Sequence, residues 1–90
     1  MPLAWTIEFE QDAIRQLNRL DRGVRRRLLD FVENRVVSGG DPRQLGKPLK
    51  GKMAGFWSYR VGDYRLVCRL EDVRMVIAVV SVAHRREVYR

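Results

Sequence analysis

The chain has 90 residues, a formal charge of +7, one cysteine (Cys68) and one histidine (His84). One cysteine and one histidine exclude an internal disulfide, a cysteine-based zinc site and a histidine-rich metal site. No apolar run is long enough to span a membrane and no signal peptide is visible, so we expect one domain over residues 1–90, in the cytoplasm and without metal or cofactor.

The first half of the chain predicts one strand followed by two helices. Residues Leu3–Phe9 alternate well enough to form the strand. Asp21 is suited to cap the second helix, which should end at the Ser-Gly-Gly sequence of residues 38–40. The first helix is predicted from apolar residues at helical spacing: Ala13, Ile14, Leu17 and Leu20.

The second half predicts a basic loop and then three strands. Residues Arg43–Gly55 are rich in glycine, proline and lysine, which predicts a loop that carries Lys47, Lys50 and Lys52. The strands should span Phe56–Val61, Tyr64–Leu70 and Met75–Val82. The order β-α-α-β-β-β predicts an α+β fold, with a helical hairpin packed on one face of a mostly antiparallel sheet.

The positive charge predicts a polyanionic partner, either nucleic acid or an acidic protein. Between Arg43 and Arg65 there are six basic residues and one acid, Asp63. Arginine is more frequent than lysine in the chain, and its planar group presents paired donors to a phosphate. These features favour a binding surface over a merely solubilising one.

The two strands on either side of Gly62-Asp63 predict a tight hairpin with a defined register. Val61 should lie opposite Tyr64, and Arg60 opposite Arg65. Side chains alternate between the faces of a strand, so one face becomes apolar and should be covered by the helices. Its members are Trp57, Tyr59, Val61, Tyr64, Leu66, Cys68 and Leu70.

This register predicts an unfavourable pair of like charges, Arg60 and Arg65, on the other face. Such a cross-strand pair costs roughly 0.2–1 kcal/mol. An anion bridging the two guanidinium groups would offset that cost. The alternative is that an acidic side chain of the protein neutralises them; the candidates are Glu71, Asp72 and Glu87.

The last predicted strand is followed by a basic tail that ends with Tyr89. If this strand pairs with Tyr64–Leu70, His84, Arg85 and Tyr89 should converge on the arginine face. Clustered arginines beside a tyrosine are typical of a site in which the arginines bind RNA phosphates and the tyrosine stacks on a base. His84 is suited to proton transfer near neutral pH, although a surface contact is the alternative role.

Three segments resemble the RelE branch of the RelE/ParE toxin superfamily. They are Leu49-Lys50-Gly51, Trp57–Leu66 and Val80–Tyr89, with the terminal sequence Arg-Glu-Val-Tyr. The resemblance covers nearly the whole chain. It implies a RelE-like fold and the toxin of a type II toxin–antitoxin pair. This toxin would be a ribonuclease that needs no metal, enters the ribosomal A site and cuts the messenger RNA.

The resemblance also implies partners and site residues. An antitoxin encoded by an adjacent gene would block the site, and the complex would bind operator DNA through the antitoxin. Arg60, Arg65, Arg85 and Tyr89 correspond to the family's catalytic set, to which we add His84. The residues expected to bind RNA phosphates are Lys47, Lys50, Lys52 and Arg86.

The chain departs from the family on the strand Phe56–Val61. The best-known members carry two lysines there, one of them proposed as the general base, whereas this chain has Ser58 and Arg60. Arginine is a poor base because its pKa lies above about 12. His84, Lys50 and Lys52 are the alternatives for the base. Two other functions remain open: a ParE-like inhibitor of DNA gyrase, and a binding module whose catalysis has decayed.

Overall fold

The computed structural model describes residues 5–37 and 40–85. The chain begins with strand β1 (Thr6–Phe9), helix α1 (Gln11–Asn18) and helix α2 (Arg22–Phe31). The Asp21 carboxylate accepts a hydrogen bond from the backbone N–H of Gly23 at 3.0 Å, which confirms the predicted cap of α2. Residues Val32–Val36 continue α2 as one π-helical turn.

Four further strands complete the sheet: β2 (Lys47–Pro48), β3 (Phe56–Val61), β4 (Tyr64–Glu71) and β5 (Val76–His84). Their order across the sheet is β1-β5-β4-β3-β2, with β1 parallel to β5 and the other neighbours antiparallel. The predicted α+β fold, with helices packed on a mostly antiparallel sheet, is therefore confirmed.

Strand β2 lies inside the segment predicted as a loop. It is only two residues long and contains a proline, so it has no alternating pattern to indicate a strand. Two contacts hold this segment in place: the Leu49 N–H donates to the Phe56 carbonyl at 2.9 Å, and the Tyr59 hydroxyl donates to the Pro42 carbonyl at 2.7 Å. Before β2, Arg43 forms an ion pair with Asp72 at 2.7 Å and so ties the segment to the β4–β5 turn.

The core lies between the two helices and one face of the sheet. Ala13 and Leu17 of α1 and Leu28 of α2 contribute buried side chains from the helical layer. The sheet contributes Tyr59, Val61, Leu66, Cys68, Ile77, Val79 and Val82. No helix within the described ranges is long and apolar enough to cross a membrane. Covering one face with helices leaves the other face of β2, β3 and β4 available for a site.

Candidate functional site

Arg60 and Arg65 are register partners in the β3–β4 hairpin, as the turn residues predicted. Both lie on the face of the sheet that the helices do not cover, because their neighbours Tyr59 and Leu66 point into the core. Arg60 is exposed and Arg65 is half-buried. The hairpin therefore presents two guanidinium groups side by side.

The two arginines form one side of a depression of about 310 Å³. Lys47 on β2 pairs with Ser58 on β3, which places both on the same face as Arg60. Ser58 also lines the depression and is only 8% exposed. The remaining lining residues are apolar and come from the segment around β2: Leu45, Pro48 and Leu49.

Arg85 joins the pair from the end of β5. Its backbone N–H donates to the Asp63 carbonyl at 2.6 Å, which fixes the end of the strand against the hairpin turn. Arg85 lines a narrow cleft together with Arg60, Asp63 and Arg65. The expected approach of Arg85 to the arginine pair is confirmed.

Two of the three acids considered as counter-charges bond other arginines. Glu71 pairs with Arg74 at 3.2 Å, and Asp72 pairs with Arg43 at 2.7 Å. The third, Glu87, lies outside the described residues. No ion pair formed within residues 5–37 and 40–85 involves Arg60. The cation of Arg60 is thus available to an external anion.

The expected convergence of His84 on the arginine face is wrong. His84 is the register partner of Tyr64, and the two rings meet edge to face with centroids 5.1 Å apart. Tyr64 is on the helix side of the sheet, so His84 lines a hollow there with Gln16 and Arg19 of the α1 region. His84 and Arg65 therefore lie on opposite faces.

A β-bulge causes this difference. The β4–β5 register shifts by one residue between Val67 and Cys68, and Val80 is the extra residue on β5. One extra residue exchanges the two faces for everything that follows it on the strand. Without the bulge, His84 would lie on the same face as Arg65.

The other predicted site residues fall into two groups. Lys50 and Lys52 are exposed in the segment between β2 and β3, outside the lining of the depression. Arg86 and Tyr89 lie outside the described residues, so their predicted roles stay predictions.

The sequence did not indicate Leu45, Pro48 and Leu49 as parts of the site, and it predicted Lys47 as one of several residues that bind RNA phosphates, on a loop and not on a strand beside the arginines. The sequence did contain a weak signal, because Lys47 lies between two leucines in an otherwise polar segment. Only the pairing of Lys47 with Ser58 shows that the segment adds a fifth strand beside the arginines.

Cys68 is separate from this site. It is 1% exposed on the core side of β4, and burial raises the pKa of its thiol to about 12. A buried thiol of that kind is not a nucleophile near neutral pH. Within residues 5–37 and 40–85, no three His, Cys, Asp or Glu side chains form a group suited to hold a metal ion.

The arrangement is chemically suited to one class of ligand. Arg60, Arg65 and Arg85 line the same narrow cleft, and guanidinium groups bind phosphate oxygens through paired hydrogen bonds. The apolar wall beside them offers a surface for a flat, uncharged group such as a nucleobase. The site therefore suits a phosphodiester with an attached base.

Comparisons with known proteins agree with one another. Residues 7–89 match the family model described as the ParE toxin of the type II toxin–antitoxin system parDE. The chain is 31% identical over 88 residues to toxin RelG of Mycobacterium tuberculosis, covering 98% of this chain and 99% of that protein. It is 33% identical over 78 residues to toxin RelE of the same organism, covering 87% and 78% respectively.

The same relationship is visible in three dimensions. The fold is similar to a chain in the crystal structure of the toxin–antitoxin complex RelBE2 from Mycobacterium tuberculosis, with a TM-score of 0.85 and 29% sequence identity. That similarity covers 94% of this chain and 95% of the other.

Proposed function

The chain belongs to the RelE/ParE family of toxins from type II toxin–antitoxin systems, and from that premise we propose that it is a ribosome-dependent endoribonuclease that cuts messenger RNA and inhibits translation. The observation that carries the proposal is the grouping of Arg60, Arg65 and Arg85 on the uncovered face of the sheet. This grouping suits a phosphodiester that gains negative charge during cleavage.

The proposed reaction starts with attack of the ribose 2′-oxygen on the adjacent phosphorus. The P–O5′ bond breaks, leaving a 2′,3′-cyclic phosphate and a 5′-hydroxyl. Arg60 and Arg65 would stabilise the charge on the five-coordinate phosphorus, because their donors are already in place before the charge develops. Arg85 would contact the side on which the 5′-oxygen leaves.

RNA contacts beyond the scissile phosphate complete the proposal. Tyr89 would stack on or orient a base, as aromatic rings do in single-stranded RNA sites. Lys50, Lys52 and Arg86 would bind phosphates of the messenger or ribosomal RNA. Lys47, for which the sequence predicts the same role, lines the depression beside Arg60 and Arg65 instead. This function places the protein in the cytoplasm, where the ribosome is.

We also propose a protein partner, a cognate antitoxin encoded by an adjacent gene. The similar toxin of known structure is part of a toxin–antitoxin complex. A charge of +7 favours an acidic antitoxin, held by ion pairs and by an apolar helix on the toxin surface. Binding should weaken with salt but persist at physiological ionic strength. The complex would bind operator DNA through the antitoxin.

Primer extension on translated messages tests the proposed reaction. The wild-type protein should produce new 5′ ends within the coding sequence when ribosomes occupy the message, whereas Arg65→Ala should produce none. A supercoiling assay with DNA gyrase, run in parallel, should show no inhibition. Intact messages together with inhibited gyrase would replace the proposal by a gyrase-inhibitor function. Inactivity of the wild-type protein in both assays would indicate a binding module without catalysis.

A further inference from the structure

Among the described residues that line the depression beside Arg60 and Arg65, one side chain is suited to accept a proton. These lining residues are Leu45, Lys47, Pro48, Leu49, Ser58, Arg60 and Arg65. Three are apolar, two are arginines that stay protonated, and the hydroxyl of Ser58 is a weak base. The amine of Lys47 is the remaining group, and its neutral form is a good proton acceptor.

Strand pairing brings Lys47 to the arginines. Lys47 is opposite Ser58, and Arg60 is two residues further along β3 on the same face. Side chains at such diagonal positions are within reach of each other when they are long. A lysine stem is flexible, so its amine can reach an atom bound over Ser58 and between the two strands.

The segment carrying Lys47 is anchored on both sides. Gly46 lies directly against the Tyr59 ring, because a Cβ at this position would come within 2.9 Å of two ring carbons. On the other side, the backbone N–H of Leu49 donates to Phe56 at 2.9 Å. The backbone of Lys47 is thus held beside β3, as positioning of a reacting group requires.

We propose that Lys47 is the general base of the cleavage reaction, a proposal that rests on the endoribonuclease function above. The neutral amine accepts the proton of the ribose 2′-hydroxyl as the 2′-oxygen bonds to phosphorus. The P–O5′ bond then breaks, and the departing 5′-oxygen takes a proton from water. The ammonium of Lys47 returns its proton to solvent.

The other titratable side chains near the arginines are placed differently. His84 is on the opposite face of the sheet, against Tyr64. Asp63 is in the hairpin turn and lines the narrow cleft with Arg60, Arg65 and Arg85, outside the lining of the larger depression. Within residues 5–37 and 40–85, Asp63 is therefore the competing base that an experiment must separate from Lys47.

Single-turnover cleavage of messenger RNA on programmed ribosomes, measured across pH, tests this assignment. Lys47→Arg keeps the charge but removes the proton acceptor, so the rate should fall by about 100-fold or more. Its affinity for ribosomes carrying a message with a 2′-deoxy substitution at the cleavage position should stay within about threefold of wild type, because phosphate binding survives. Arg74→Lys is the control, because it replaces an arginine by a lysine away from the depression. Arg74 pairs with Glu8 and Glu71, and this variant should leave the cleavage rate unchanged.

A second variant should change the pH dependence of the cleavage rate, which would stay the same if Lys47 only bound phosphate. Lys47→His should retain part of the activity, with a rate that levels off at a lower pH than in wild type, because imidazole ordinarily titrates near pH 6.5. Asp63→Asn should keep the wild-type pH profile.

The possible results separate the proposals. Cleavage by Lys47→Arg at the wild-type rate would overturn the base assignment and leave the ribonuclease function intact. If the cleavage rate loses its pH dependence in Asp63→Asn but keeps it in the Lys47 variants, the general base is Asp63. A wild-type protein that cuts no message would overturn the proposed function itself.

Discussion

Arg60 and Arg65 are directly opposite each other across the β3–β4 hairpin, so the sheet holds two guanidinium groups together on its uncovered face. Like charges in this position destabilise a hairpin by roughly 0.2–1 kcal/mol. The stability of the hairpin therefore does not explain this placement, and an anion bound between the two side chains would offset the cost.

Replacement of Arg60 by alanine separates its contribution to toxicity from its effect on the stability of the fold. Arg60→Ala should abolish or strongly reduce toxicity, while the free energy of unfolding stays unchanged or rises by up to roughly 1 kcal/mol. Growth after induction and urea unfolding measure the two effects. Arg69→Ala is the matched control, because Arg69 is exposed on the same face but pairs with Glu10 at 3.1 Å. A large loss of stability in Arg60→Ala would indicate a structural role for the pair.

His84→Gln tests whether the β-bulge in β5 keeps His84 out of the cleavage reaction by turning it away from the arginines. Because His84 contacts Tyr64 on the helix side, this variant should keep the wild-type dependence of the cleavage rate on pH between about 6 and 8. Single-turnover cleavage on ribosomes measures the profile. A profile that becomes flat in the variant would return His84 to the proton-transfer role predicted from the sequence.

Gly46→Ala should destabilise the protein by about 1–3 kcal/mol. The new methyl group would come within 2.9 Å of the Tyr59 ring, and that ring is held by its hydrogen bond to Pro42 and by an edge contact with Phe31. Thermal unfolding followed by circular dichroism measures the loss. Gly23→Ala is the control with a stability close to wild type, because its methyl group would meet only a carboxylate oxygen of Asp21, at 3.2 Å.

Alkaline pH should destabilise the fold through Cys68. Burial raises the pKa of this thiol to about 12, whereas in the unfolded chain it is about 8.5. The stabilising contribution is complete below the unfolded pKa. It falls as the pH rises from about 8.5 toward 12, by up to about 1.4 kcal/mol per pH unit, since the unfolded state loses its proton first.

Urea unfolding of wild type and Cys68→Ala at about pH 8, 9 and 10 measures this effect. The free energy of unfolding should fall more steeply with pH in wild type than in the variant. Burial also raises the pKa of Tyr59, which adds a further loss above about pH 10 in both proteins. Equal slopes over pH 8 to 10 would contradict the assignment to Cys68.

The β3–β4 hairpin is a part of the fold that local sequence specifies. Gly62 has a φ of +59°, a conformation that glycine adopts readily, and the turn together with alternating side chains specifies which residues face each other. The pairing of Arg60 with Arg65 follows from these local features. Strand β2 could not be identified in the same way, because two residues carry no alternation and their pairing with β3 depends on contacts distant in sequence.

Strand β5 shows the opposite case. Residues 76–80 and 82 are apolar and residue 81 is serine, so the sequence carries no alternation that would indicate the register or the position of a bulge. The extra residue Val80 is accommodated only when β5 pairs with β4, and it turns His84 toward the helices.

The sequence by itself therefore determined the order of the two helices and of every strand except β2, together with the hairpin register and the opposed arginines, because turn chemistry and side-chain periodicity act over a few neighbouring residues. Tertiary structure alone decided that Lys47 lies beside Arg60 and that His84 lies on the other face. The physical reason is that both depend on pairing between strands, and one residue of slip there exchanges the two faces of a sheet.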